Sequence, residues 1–204
     1  MVAIVDYDIG NVAAVANMFN RLGVPSIITS NYEQIEKADR IILPGNGAFD
    51  ACMKNLKSSG LIPVLEKCAL ERGIPLLGIC VGAQMLGHSS EEGVEPGLGW
   101  IDMDVKRFPT MPDLRIPQMG WNNVVPVKQG HPVLDGLSDD ARFYFVHSYY
   151  MDPRGSGITL LQSHYGIDFS AAVVHGNIVG VQFHPEKSHR FGKQLLSAFA
   201  RWKA

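Results

Sequence analysis

Residues 75–84 read Pro75-Leu-Leu-Gly-Ile-Cys-Val-Gly-Ala-Gln84, an apolar run that breaks around Cys80 and passes into a helical pattern. A strand that ends Gly-x-Cys-x-Gly and feeds a helix has the form of a nucleophile elbow written with sulfur instead of oxygen. Gly78 and Gly82 are expected to let the chain turn sharply, so that the Cys80 side chain projects from the sheet edge. The turn would also set the thiol at a helix N-terminus, where the dipole and free N–H groups favour thiolate. A thiol of this kind needs a base, and Gln182-Phe-His-Pro-Glu186 offers one at the end of another apolar run. His184 and Glu186 stand two apart, so in an extended segment both side chains leave the same face. Glu186 can then hold one imidazole nitrogen while the other faces Cys80. The expected catalytic residues are therefore Cys80, His184 and Glu186, as nucleophile, base and orienter.

Outward from the elbow, the first half alternates short apolar runs with helical patterns. Strands are expected at Val2–Val5, Ser26–Thr29, Arg40–Leu43 and Pro75–Ile79. Between them lie helices from an Asn11 cap to about Leu22, at Phe49–Leu56 and at Ile62–Glu71, with another after the elbow through Leu86. Strands separated by helices imply crossovers, hence a mostly parallel sheet with helices on both faces. Such sheets bind ligands beyond the carboxyl ends of their strands, where Asp6-Tyr7, the Pro44-Gly-Asn-Gly47 loop and Cys80 all fall. From about Gly97 the pattern changes to strands joined by turns: Val105–Phe108, Trp121–Val127, Arg142–Val146, Ile158–Ser163, Ala171–Val174 and Ile178–Phe183. These read as an antiparallel or mixed extension of the same sheet, closed by a helix over Arg190–Trp202. No linker or repeat interrupts the chain, and residues 1–204 are expected to form one α/β domain.

Composition narrows the function. A net charge of −2 without a Lys/Arg block argues against a nucleic-acid or anionic-membrane surface. Three cysteines, Cys52, Cys68 and Cys80, without metal-ligand spacing, suit a reducing cytosol better than a disulfide-bonded secreted domain. No targeting segment or membrane-length apolar stretch is evident, so a cytoplasmic protein without metal is expected. A nucleotide-type glycine fingerprint is also missing, so no cofactor is implied.

Two other features bear on the chemistry. The Pro44–Gly47 loop has a bland reading as a turn and a functional one as a donor loop, whose bare backbone approaches a ligand closely. Hydrolysis through a tetrahedral intermediate needs two N–H donors. Val81, directly after the nucleophile, is the natural first, and Gly45-Asn46-Gly47 would supply the second. His147 reads equally as a site-lining residue or as the polar end of a strand, and Glu91-Glu92 reads as a solvated loop.

With Cys80, His184 and Glu186 assembled, the chain resembles the class I, triad-type glutamine amidotransferases. Within them it is most similar to the glutaminase subunits of imidazole glycerol phosphate synthase. The resemblance covers nearly the whole chain: Asp6-Tyr7 with Gly10-Asn11, Leu43-Pro-Gly with Gly47-Ala-Phe49, Gly78–Gln84, Met119-Gly-Trp-Asn122, Tyr144-Phe-Val-His-Ser-Tyr149, Tyr165-Gly166 and Gly180–Ser188. It implies a Cys80 thioester on glutamine, with Gly47, Gln84, Tyr144, Ser148 and Tyr149 lining the glutamine pocket. It further implies that Gly10, Asn11, Trp121, Asn122 and Lys187 face a (β/α)8-barrel cyclase, which receives the ammonia for histidine biosynthesis. Three positions depart from the family pattern: Asp8 for glycine, Asn46 for valine and Gln118 for histidine. They leave the triad intact but touch the donor loop and partner face. An alternative acceptor is therefore kept, a paralogous pair that builds an acetamidino group on a nucleotide-linked cell-surface sugar. A stand-alone cysteine hydrolase and a non-catalytic regulatory subunit are the rival classes, and the His-Pro-Glu arrangement and intact triad argue against them.

Overall fold

A computed structural model describes residues 1–112 and 114–203. The first half runs β1 (Val2–Val5), α1 (Val12–Arg21), β2 (Ser26–Thr29), α2 (Tyr32–Glu36), β3 (Arg40–Gly45), α3 (Phe49–Ser58) and α4 (Ile62–Glu66). A wider π-turn carries α4 on to Glu71, and β4 (Leu76–Cys80) and α5 (Val81–Gln84) follow. The second half holds β5 (Met103–Arg107), β6 (Gln118–Asn123), β7 (Val125–Pro126), β8 (Arg142–His147), β9 (Tyr149–Pro153) and β10 (Thr159–Tyr165). It ends with β11 (Ile167–His175), β12 (Ile178–Val181) and α6 (His189–Arg201).

The main sheet has the order β2-β1-β3-β4-β12-β11-β10-β7, and β9 joins β5 to β11. From β2 to β12 the neighbours are parallel, and from β12 onward they are antiparallel. The parallel strands explain themselves chemically. Every residue of β1, β4 and β12 is buried, as a strand covered on both faces requires. The order 2-1-3-4 reverses direction beside β1, which opens a crevice at the carboxyl ends of β1, β3 and β4. β12 lies beside β4 in parallel register, so the Gln182–Glu186 segment emerges at that same edge next to Cys80.

Several expectations shift. The strands near Trp121 and Arg142 leave the main sheet and pair with each other, Gln118 opposite His147 and Asn123 opposite Arg142. Only Val125–Pro126 of that stretch reaches the large sheet, on β10. The helix after the elbow is a single turn ending at Gln84 rather than Leu86. Asn11 precedes α1 but makes no side-chain cap. Among the described residues no helix is long and apolar enough to cross a membrane.

Candidate active site

The elbow is built by close backbone approach. Gly82 packs so tightly that a Cβ there would meet the Leu43 carbonyl oxygen at 2.0 Å, and one at Gly45 would meet Gly82 N at 2.1 Å. Neither Gly78 nor Gly82 takes a positive φ; Cys80 itself does, at φ 56° and ψ −115°. Non-glycine residues reach that region only at a cost of about 1–3 kcal/mol, so the surrounding contacts hold the nucleophile in a strained backbone. The glycines serve the elbow by leaving room for it rather than by turning.

His184 is held differently. Its N–H donates to Tyr144 O at 2.9 Å, and the Ser188 hydroxyl donates to its carbonyl at 2.6 Å. Phe183 beside it stacks on Phe143 with ring centroids 3.8 Å apart, which locks the strand end to β8. The Glu186 carboxylate accepts from Nδ1 at 2.8 Å, with the two side chains only 5% and 1% exposed. Nε2 is buried and has no hydrogen-bond partner among the described residues. Burial by itself would lower the imidazole's pKa. Cys80 and Glu186 outweigh it and lift the value to about 9, so the ring carries a proton at neutral pH. With α5 only one turn long, this imidazolium rather than a helix dipole is the positive charge beside the sulfur.

Cys80 opens into a cavity of about 250 Å3 lined by Asn46, Gly47, Val81, Gln84, Ser148 and Tyr149 among the expected residues, and by Glu92, Pro117, Val146 and His147 besides. That is smaller than the roughly 300–1,000 Å3 of sites for drug-sized ligands, and it suits a free amino acid. Gln84 Nε2 donates to Tyr149 O at 3.2 Å and to Gln182 Oε1 at 3.1 Å, which ties the elbow to both walls. Gly45 sits underneath, opposite Cys80 in the β3–β4 ladder.

Tyr144 does not line the cavity. It shares a face of β8 with Val146 and lies along the strand from Ser148 by four residues, about 13 Å at the usual strand rise. Its ring meets Trp121 at 6.3 Å and the Lys187 ammonium at 5.9 Å. So the structure joins Tyr144 to the expected partner-facing residues. Trp121 is 43% exposed, and Asn11 and Lys187 are also exposed. Gly10 packs on Pro44. Asn122 is only half-buried, but its amide is used internally, donating to His164 O at 2.8 Å.

Glu92, Pro117 and Val146 line the cavity without a sequence expectation, and His147, readable either way from the sequence, joins them. Glu92 is no solvated acid: its carboxylate accepts from Phe49 N at 2.9 Å, at the start of α3. The signal was tertiary, since Asp50 in turn accepts from Val94 N and Glu95 N and folds that loop onto α3. His147 resolves to a buried wall residue. Its Nδ1 meets Tyr149 O at 2.7 Å, its Nε2 meets the Gln118 amide at 2.8 Å, and burial pushes its pKa down to about 4. The Gln118 departure thus lands on a buried partner of a neutral histidine. Asn46 takes no positive φ, whereas Asp8, the other departure in a tight turn, does at φ 65°. No cluster of His, Cys, Asp and Glu suited to a metal occurs among the described residues.

The profile of the family "Glutamine amidotransferase class-I" matches residues 3–201. The imidazole glycerol phosphate synthase subunit HisH 2 of Pseudomonas aeruginosa is 51% identical over 199 residues, covering 98% of both chains. Subunit HisH of Bdellovibrio bacteriovorus is 46% identical, covering 98% of this chain and 99% of its own. Among solved structures, a glutamine amidotransferase superposes with a TM-score of 0.75 at 22% identity, over 98% of this chain and 97% of its own.

Proposed function

The chain belongs to the class-I glutamine amidotransferase family, and from that membership and the cavity's geometry we propose a glutaminase subunit of the imidazole glycerol phosphate synthase type, working in histidine biosynthesis. One observation carries the chemistry: a buried imidazole with Nδ1 fixed by Glu186 and Nε2 left without a partner among the described residues, beside a buried thiol. The Cys80 thiolate attacks the side-chain amide carbon of glutamine, and the carbonyl electrons move to oxygen. N–H groups of Val81 and the Asn46–Gly47 loop receive that oxyanion. Protonated His184 gives its proton to the amide nitrogen, the C–N bond breaks, and ammonia leaves a γ-glutamyl thioester. His184, now neutral, takes a proton from water as the water attacks the thioester. The C–S bond breaks, glutamate departs, and Glu186 keeps the ring oriented throughout.

Glutamine is zwitterionic, and Glu92 is the acid in the cavity wall that can take its α-ammonium group. Gln84, Ser148 and Tyr149 supply the remaining polar contacts. The ammonia must reach an acceptor before it equilibrates with water, and a (β/α)8-barrel cyclase in the cytoplasm is the proposed recipient. Trp121, Tyr144 and Lys187 form the centre of the face offered to it, with Gly10 and Asn11 at the donor-loop side. Asn122 supports that face from within. The names of the relatives favour this acceptor over the acetamidino-sugar alternative.

The test is glutamine hydrolysis by the pure chain, alone and with an imidazole glycerol phosphate-type cyclase from the same organism plus its phosphoribosyl ligand. Strong stimulation with product formation is expected. Hydrolysis that ignores the cyclase, with Cys80 still labelled by a glutamine-like electrophile, would assign the ammonia to another acceptor.

A further inference from the structure

Beneath the Pro44–Gly47 loop lie two buried donors that the reaction itself does not use. The Tyr7 hydroxyl, in a side chain 3% exposed, donates to Pro44 O. The Cys52 thiol, fully buried in α3, lies 3.4 Å from Asn46 O and donates to it. Burial pushes the Cys52 thiol up to about 11 and raises Tyr7 further, so both keep their protons. Asn46, Gly47 and Ala48 above them are exposed, and the Gly47 and Ala48 N–H groups have no intramolecular acceptor among the described residues.

We infer that Tyr7 and Cys52 are positioning residues for the oxyanion donors, gripping the carbonyls of the loop from below so that its N–H groups face the cavity. A trans peptide points its C=O and the following N–H in opposite directions. With Asn46 O held inward by the thiol, Gly47 N–H must point outward, to the side on which Gly47 lines the cavity. Gly47 sits at φ 89°, where glycine moves freely, so the loop has little stiffness of its own at this peptide. A thiol is a weak donor, which suits a peptide that must be held without being frozen. Cys52 therefore has a role beyond that of a core cysteine, and Tyr7 fixes the other end of the same loop.

This inference rests on the glutaminase reading, and the experiment separates the two. The full chain and its Cys52→Ala, Cys52→Ser and Tyr7→Phe variants are assayed for glutamine hydrolysis with the cyclase present. Hydrogen exchange of the peptide spanning 44–49 is followed in parallel. Cys52→Ala is expected to lower kcat roughly fivefold, the worth of one modest hydrogen bond, with KM within about twofold. Cys52→Ser, which keeps a donor, should recover most of kcat, and Tyr7→Phe should lower it like Cys52→Ala. Exchange of the Phe49 amide, the bonded N–H at the end of this peptide, should speed up in the Ala and Phe variants but not in Ser. Unchanged kcat and exchange in both Ala and Phe variants overturn the inference. So does a Ser variant as poor as Ala, which marks a packing defect. If the wild type hydrolyses no glutamine, the functional reading fails, and loop exchange alone decides the positioning role.

Discussion

Cys80 and His184 meet at one sheet edge but are held by opposite means. Cys80 is fixed by backbone pressing on backbone, through glycines at 45 and 82 that leave no room for a Cβ. His184 is fixed mostly by side chains, a carboxylate, a serine hydroxyl and a stacked phenylalanine pair, with one backbone bond to Tyr144 O. The nucleophile's geometry is therefore inseparable from the fold, while the base's geometry is a replaceable attachment. Damage to the glycines that pack around the nucleophile should be read in stability, and damage to the side chains that hold the base in rate.

The largest effect expected is on rate at the nucleophile itself. Cys80→Ala should reduce glutamine hydrolysis by about four orders of magnitude or more in a steady-state assay. Cys80→Gly should be equally inactive yet more stable than Cys80→Ala by about 1 kcal/mol in denaturant titration, because glycine relieves the positive φ. Equal stabilities would mean that the elbow is not strained. Next comes Gly82→Ala, which drives a methyl into Leu43 O and should cost roughly 3–5 kcal/mol or prevent folding. A variant of wild-type stability there would break the contrast between the two residues.

On the base's side, Glu186→Gln should leave the fold nearly intact and lower kcat roughly 10²–10³-fold, less than losing the nucleophile. The same variant tests the ionisation. The folded-state pKa of His184, about 9, lies above its ordinary value of 6.5, so protonation favours the folded chain. That contribution is fully present below pH 6.5 and is lost as pH rises through about 9. Wild type should thus lose more stability than Glu186→Gln between pH 6 and pH 9.5, measured by denaturant titration at each pH. The smallest effect concerns the acid in the cavity wall. Glu92→Gln should raise KM for glutamine roughly tenfold, the cost of losing one charge-assisted contact, with a much smaller change in kcat.

The same contrast explains what the sequence made legible. Buried parallel strands announce themselves as continuous apolar runs, and an elbow or a His-Pro-Glu segment is local, so the sheet and the three residues could be read directly. The Glu92 contact could not, because it depends on a loop folding back over α3 through Asp50, some forty residues away in the chain. The family resemblance implies a pocket position for Tyr144, whereas the rise of β8 carries it beyond the cavity. The β6–β8 pair read as part of the main sheet, since alternation reports a half-buried strand but not its partner. Helix α2 was missed despite a local signal, the Asn31 side chain accepting from Gln34 N at 3.1 Å.

The most direct test of the central claim is acid-quenched mass spectrometry of the full chain mixed with glutamine and its cyclase. The account predicts a γ-glutamyl adduct on the peptide bearing Cys80, absent from Cys80→Ala and sparse in His184→Ala. Glutamate released at full rate with no adduct on Cys80, or with undiminished turnover in Cys80→Ala, would contradict it.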